Sequence, residues 1–385
     1  MTINSIAFAL DPANVPSFLL DWEVTKLCNL DCSYCSTGLE GGHDNTTQHP
    51  SLDECLRTID FMFEYVDLYM QHKKPSQRKV VLNVYGGESL FHPDIIEILQ
   101  ECRARYAQYQ SKWYLTICCT TNAIVGERQW HKIVPLIDNF TLSYHSEILS
   151  KQKSIFKKNA LYLKEINKPF RVAIVMHNQD RYWKECMEAI DWFKEHDIKF
   201  TPKPLDNHDT EWNYTKDQFS SLKTFWITQV PTAQKLEYKK LIDIASNDDT
   251  VSSIHTGRPC CGGRKLSING DLKSSIKYVP RQGFRDWSCS VNWFFLFVRQ
   301  LDGAVYTNKD CMTSTTGRVE PLGYLHKSIE IIDQLKNQLE HGMPIIKCVK
   351  DVCMCGFCAP KAETETEFLG LIKRNVPVDI FQKTC

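Results

Sequence analysis

Five times between Phe18 and Leu205 a short apolar run gives way to a segment whose apolar residues return every three or four positions, and a sixth run closes the series. Phe18–Val24, Val80–Tyr85, Tyr114–Cys119, Phe140–Tyr144, Phe170–Met176 and Phe200–Leu205 have the length and composition of buried strands. Pro202 and Pro204 interrupt the sixth and disfavour it as an interior strand. Between the runs lie amphipathic helices. The first is announced by Ser51 and Glu54, a capping box, with Leu52, Cys55, Leu56, Ile59, Phe63 and Val66 on one face. Pro93 stands where a first helical residue would for the helix through Cys102. Further helices are expected around Trp130, Ile133 and Ile137, then Phe156, Ala160 and Leu163, then Trp183, Met187, Ile190 and Phe193. Strands that alternate with helices imply crossover connections and a parallel sheet, and the fold class is α/β. Six units fall short of the eight of a closed barrel.

Beyond Asp206 the pattern changes. A polar stretch to Asn213 reads as a linker, followed by helical segments on either side of Pro231, with Phe219, Leu222, Trp226 and Val230, then Leu241 and Ile244, as packing faces. From Cys260 onward short strands, turns and scattered cysteines take over, and Asn269-Gly270-Asp271 and Asp302-Gly303 signal two hairpins. Trp293–Val298 reads as a buried strand. The expected division is an α/β core over 1–205, a helical linker over 206–255 and a smaller cysteine-rich α+β domain over 256–385.

At 385 residues the chain can bury a substantial core, and 46 Lys+Arg against 46 Asp+Glu leave no net field to steer it toward nucleic acid or an acidic membrane. Lys151, Lys153, Lys157 and Lys158 form the obvious basic cluster, which an exposed helix face explains without nucleic acid. No apolar run approaches membrane-spanning length, and Met1–Leu20 lacks the basic start and apolar core of a secretory signal. Seventeen cysteines gathered in clusters favour metal over disulfides, which places the chain in a reducing cytoplasm. No Walker loop, histidine-rich zinc-protease motif or nucleophile elbow competes for the chemistry.

Cys28, Cys32 and Cys35 fall within eight residues at the end of the first strand. Three thiolates give an iron–sulfur cluster one ligand fewer than its four irons need, and one iron stays open. The same short spacing also fits zinc. Gly86-Gly87-Glu88 ends the second strand on the same sheet edge, where two glycines permit close backbone approach and a carboxylate matches an ammonium group. Taken alone the tripeptide is also an ordinary tight turn. Thr121-Asn122 reads as a side-chain-capped turn. Cys55, Cys102, Cys118, Cys119 and Cys186 sit in apolar patterns and read as core.

The cysteine spacing, with Tyr34 just before the last cysteine, resembles the signature of the radical S-adenosylmethionine (radical SAM) enzymes. The resemblance implies a partial (β/α)6 TIM-like barrel. It also implies that Cys28, Cys32 and Cys35 ligate a catalytic [4Fe-4S] cluster whose open iron is chelated by S-adenosylmethionine. Tyr34 would then lie near the adenine, and Gly86, Gly87 and Glu88 would engage the amino group. Ser143, His145 and Asn178 would stand where the family often contacts ribose or the methionyl carboxylate. In the family an electron from the cluster cleaves the sulfonium to methionine and a 5′-deoxyadenosyl radical, which removes a hydrogen atom from substrate. A reductant such as flavodoxin or ferredoxin is implied.

Cys348, Cys353, Cys355 and Cys358, with Cys289, Cys311 and Cys385, resemble the SPASM or twitch extension of these enzymes, which holds one or two auxiliary [4Fe-4S] clusters. Here the dense run is spaced four, one and two, where the family's is usually two, five and three, and Cys260-Cys261 is a further candidate pair. The sharing of sulfurs between clusters stays open, and a four-thiolate zinc site is the alternative. Enzymes with this extension often act on peptides or proteins, which makes a peptide the first expected substrate and a small molecule or nucleotide the second. A non-catalytic zinc-binding partner protein is the reading from another class.

Overall fold

A computed structural model of the chain describes residues 6–7, 18–35, 46–73, 75, 78–205, 213–229, 253–256, 264–268, 273–278, 281–282, 285–289, 291–293, 295–307, 320–340, 346–348, 352–353 and 361–362. The expected α/β architecture is present. Strands β1 (Phe18–Thr25), β2 (Lys79–Gly86), β3 (Tyr114–Thr121), β4 (Asn139–His145), β5 (Phe170–Met176) and β6 (Phe200–Pro204) pair in chain order, all parallel. Helices α1 (Leu52–Gln71), α2 (Ile95–Ala107), α3 (Glu127–Ile133), α4 (Ser150–Glu165) and α5 (Asp180–Glu195) connect them. The sixth strand tolerates its prolines because it pairs with β5 alone and is an edge.

Alternation within the strands separates two faces. Val80, Leu82 and Val84 of β2, Leu115 and Ile117 of β3, and Phe140, Leu142 and Tyr144 of β4 are buried with helix residues such as Ile59, Phe63, Ile98, Leu99, Trp130 and Phe156 in the main core. Their neighbours Asn83, Cys118, Ser143 and His145 point to the other, inner face and stay half-buried. Cys118 thus departs from its expected core position, whereas Cys55, Cys102, Cys119 and Cys186 are buried. A strand packed on one face alone puts every second residue outside the core.

Local chemistry sets the helix ends. Ser51 caps α1 through the Glu54 N–H, and the Glu54 carboxylate accepts the Ser51 N–H at 2.8 Å, which completes the capping box. Helix α2 starts at Ile95, two residues beyond Pro93, because His92 Nδ1 accepts the Asp94 N–H at 3.1 Å and holds a preceding turn. On α4, Lys151 and Lys158 are exposed as expected and Lys158 pairs with Glu127, whereas Lys153, paired with Glu185, and Lys157, over the Trp192 ring, are half-buried.

In the later part of the chain, β7 (Asn213–Thr215) and α6 (Lys216–Gln229) precede a hairpin of β9 (Arg264–Ile268) and β10 (Lys273–Tyr278). Strand β8 (Ser253–Thr256) and β7 flank that hairpin. The second hairpin, β11 (Phe295–Arg299) and β12 (Ala304–Tyr306), turns at Gly303, whose φ of +68° suits glycine. Strand β11 does more than form a hairpin. It pairs parallel with β1, in register Phe295↔Leu19 through Arg299↔Glu23, so the barrel sheet continues past its first strand to β12 and β13 (Gly323–Tyr324). Helix α7 (Ser328–Glu340) packs beside α1. Among the described residues no helix is long and apolar enough to cross a membrane.

Candidate active site

Strand β1 ends at Thr25 and delivers Cys28, Cys32 and Cys35 to the C-terminal edge of the parallel sheet, where open α/β folds gather ligands. The loop after β2 braces this stretch from behind. Gly87 donates its N–H to the Thr25 carbonyl and Glu88 to the Leu27 carbonyl, both at 2.8 Å. A Cβ on Gly86 would meet the Thr25 oxygen at 2.2 Å, and one on Gly87 the Lys26 oxygen at 2.3 Å. Both glycines are therefore required by backbone-to-backbone approach alone.

Glu88 is 2% exposed. Its Oε1 accepts from Thr121 Oγ1 at 2.7 Å and Leu90 N at 3.0 Å, and its Oε2 from Asn122 N at 2.6 Å. Burial pushes its carboxyl up to about 6 against the pull of those donors. Three donors leave Oε2 with lone-pair capacity for a ligand's ammonium. The expected capped turn after β3 is present, since Thr121 Oγ1 accepts the Ala123 N–H and Asn122 Oδ1 the Ile124 N–H, each at 2.9 Å. It reaches the cysteine loop as well. Asn122 Nδ2 donates to Asn29 Oδ1 at 2.7 Å, Asn29 Nδ2 donates to the Ile124 carbonyl at 3.0 Å, and Asn122 Nδ2 lies 4.0 Å from Cys28 Sγ.

The far side of the loop is held by strand ends β4 and β5. The Tyr34 hydroxyl shares a 2.6 Å hydrogen bond with His145 Nδ1, and the two rings stack at 5.9 Å and 17°. Burial pushes the His145 imidazole down to about 4, which keeps it neutral. Ser143 lies two residues back on the same inner face, paired in register with Ala173. Asn178 lies just past β5, where its carbonyl accepts from Gln218 Nε2 at 2.9 Å. Glu147 and His177, which sequence reasoning passed over, also converge here: Glu147 Oε2 accepts the Ser33 N–H at 2.6 Å, and its Oε1 lies 3.2 Å from His177 Nε2.

None of the three cysteines is joined in a disulfide. Burial pushes Cys28 and Cys32 each up to about 12, so a thiolate forms there when a positively charged group accepts it. The Leu30 N–H already points at Cys28 Sγ, at 3.4 Å. Among the described residues no three His, Cys, Asp or Glu side chains converge on one metal ion. A cluster does not ask them to, because each iron takes its own thiolate. The donor set fits an iron–sulfur cluster.

Residues 22–202, from β1 into β6, match the family model of the Radical SAM superfamily. The chain carries a radical SAM domain. It is accordingly an iron–sulfur enzyme, and the family implies a [4Fe-4S] cluster and S-adenosylmethionine. The match ends at residue 202. No curated protein matches the chain. Among solved structures, anSMEcpe with bound AdoMet is 14% identical, with a TM-score of 0.49 over 84% of this chain and 82% of its own. SuiB of Streptococcus suis bound to S-adenosylmethionine is also 14% identical, with a TM-score of 0.45 over 80% of this chain and 64% of its own.

Of the C-terminal cysteines, Cys289, Cys348 and Cys353 are described. Residues 288–289 pair antiparallel with 346–347 in register Cys289↔Ile346, and the Cys348 N–H donates to the Trp287 carbonyl at 2.9 Å. Cys289 is buried with Phe295, Phe297 and Tyr306 in a second core that reaches Leu19 and Tyr85 of the barrel. Cys353 lies on a short strand opposite Arg281. Cys260, Cys261, Cys311, Cys355, Cys358 and Cys385 lie outside the described residues, as do Leu241 and Ile244.

Proposed function

We propose that Cys28, Cys32 and Cys35 hold the catalytic [4Fe-4S] cluster and that the chain modifies a peptide or protein through hydrogen-atom abstraction. The observation that carries the reading is the bracing of one three-cysteine loop by the Gly87 and Glu88 amides on one side and by Asn122 on another. When bound, the cluster supplies the electron that cleaves S-adenosylmethionine to methionine and a 5′-deoxyadenosyl radical. The chain's own residues do the positioning. Gly86 and Gly87 let the backbone lie flush behind the cysteine loop, and Glu88 offers its remaining lone-pair capacity to the amino group. Tyr34, held flat against His145, provides a ring face for the adenine, and Ser143 and Asn178 offer polar groups from neighbouring strand ends.

Cys289, Cys348 and Cys353, with Cys311, Cys355, Cys358 and Cys385, are assigned to a SPASM- or twitch-like auxiliary-cluster region. The ladder that brings Cys289 beside Cys348 supports this assignment. The peptide reading rests on that region, since auxiliary clusters suit a substrate that must be anchored or must give up an electron. A flavodoxin- or ferredoxin-like protein in the cytoplasm would serve as reductant.

The test is 5′-deoxyadenosine formation by anaerobically reconstituted protein given S-adenosylmethionine and a strong reductant. Product from the parent and none from a variant with Cys28→Ala, Cys32→Ala and Cys35→Ala is the expected result. Equal product from both would overturn the assignment.

A further inference from the structure

Ser33 and Tyr34 are the two residues between Cys32 and Cys35, and both are held by side chains from the ends of other strands. Glu147, two residues beyond β4, accepts the Ser33 N–H on Oε2 at 2.6 Å and the Ser33 hydroxyl on Oε1 at 2.5 Å. A carboxylate that accepts a backbone N–H makes a charge-assisted bond, stronger than the neutral kind. Glu147 is itself oriented. Its Oε1 lies 3.2 Å from Nε2 of His177, which is fully buried at the end of β5. His177 Nδ1 accepts the Gln179 N–H at 3.1 Å, so the ring proton of the neutral imidazole sits on Nε2, facing Glu147. The Tyr34 ring meets the edge of His177 at 5.7 Å, and Tyr182 packs on His177 at 4.7 Å.

The placement is unexpected on charge alone. A carboxylate beside a prospective thiolate is electrostatically unfavourable, and Glu147 does raise the Cys32 thiol as one of several lesser influences behind burial. Its presence there calls for a compensating role, and the geometry supplies one. The turn that closes with Cys35 N on the Cys32 carbonyl at 3.0 Å buries Cys32 in the main core but is exposed at Ser33, where Glu147 holds it. Two adjacent parallel strands, β4 and β5, offer rigid ends from which to hold it.

We propose that Glu147, oriented by His177, is a positioning residue for the cluster: its grip on Ser33 fixes the spacing and tilt of Cys32 and Cys35. The inference rests on the reading that Cys28, Cys32 and Cys35 are the ligands. Loss of the grip loosens the cluster. It also changes how the cluster meets S-adenosylmethionine.

The experiment compares reconstituted parent, Glu147→Gln, Glu147→Asp and Ser33→Ala proteins for the rate of iron release to a chelator. The iron that remains in the triple cysteine-to-alanine variant is subtracted. The electron paramagnetic resonance spectrum of the reduced protein is recorded with and without S-adenosylmethionine, and the melting temperature is taken without cluster. Partners behind the direct ligands of a metal commonly change its retention by about 10- to 100-fold, so Glu147→Gln and Glu147→Asp are expected to release iron roughly tenfold faster. Glu147→Asp keeps the charge and shortens the reach, and so separates positioning from electrostatics. The S-adenosylmethionine-induced change in the spectrum is expected to differ from the parent's in all three variants. Ser33→Ala removes the hydroxyl bond to Oε1 and keeps the N–H bond to Oε2, so it is expected to release iron faster by a smaller factor, and it gives a folded protein if the Glu147 variants do not fold. Parent-like release and parent-like spectra in the folded variants would overturn the proposal. Retention of the full iron content by the triple cysteine variant would overturn the ligand reading beneath it instead.

Discussion

Gly87 gives its N–H to the carbonyl of Thr25 across 2.8 Å, and the approach leaves no room for a side chain. The loop that follows β2 is thereby fastened to the last residues before Cys28. A Cβ at Gly87 would stand 2.3 Å from the Lys26 oxygen and 2.5 Å from the Leu27 oxygen, both backbone atoms that cannot swing aside. Gly87→Ala is expected to destabilise the chain by about 1–3 kcal/mol, as overpacking does, and to displace Cys28. Denaturant unfolding checks the first effect, and iron content after reconstitution the second. A variant with parent stability and parent iron would show that the loop has slack.

Asn29 and Asn122 are 93 residues apart and share a 2.7 Å hydrogen bond beside Cys28. Asn29→Ala and Asn122→Ala are each expected to cost about 1 kcal/mol or more, because each leaves a polar partner unmatched. The double variant is expected to cost less than the sum, with a coupling of about 0.5 kcal/mol or more. Strict additivity in denaturant unfolding would mean that the two amides act separately.

His145 adds one pH-dependent contribution of its own to the fold. Its pKa is pushed down to about 4 from 6.5 by burial, so the unfolded chain binds more protons than the folded one between those values. The stability contribution is full above about pH 6.5 and falls as pH drops toward 4. Between pH 7 and pH 5 the loss is on the order of 2 kcal/mol. Cluster-free parent and His145→Asn proteins, unfolded in denaturant across that range, should differ in slope in this direction. Parallel profiles would place His145 in water rather than against Tyr34.

The strands were legible because each is a local apolar run, and the capping box because Ser51 and Glu54 are three residues apart. The glycines of the loop after β2 were legible as glycines, yet their partners, the carbonyls of Thr25, Lys26 and Leu27, belong to the end of another strand and the loop that follows it. Glu147 and His177 carried no signal at all. A polar residue at a strand end has no period to reveal it, and the bond that gives Glu147 its meaning spans 114 residues. The same holds for β11, whose five buried residues announce a strand without saying that its neighbour is β1. Pairing between distant segments is decided by the whole sheet, and local composition cannot report it.

Cys289 and Cys348 test whether the cysteine-rich part of the chain holds a cluster. Their strands pair so that Ile346 faces Cys289 and Cys348 meets Trp287, which puts both cysteines on one side of the ladder, two positions apart. A buried cysteine could be there for packing alone, and Cys289 does contact an apolar core. The two roles respond differently to serine. If the cysteines are ligands, Cys289→Ser and Cys348→Ser each lower the iron of the reconstituted protein by about four per chain, the content of one [4Fe-4S] cluster. They leave the iron bound at Cys28, Cys32 and Cys35 in place. If they are packing residues, Cys289→Ser lowers the melting temperature and leaves the iron count unchanged. Iron and acid-labile sulfide per chain, measured beside the melting temperature, decide between the two, because a packing role cannot remove a cluster's worth of both.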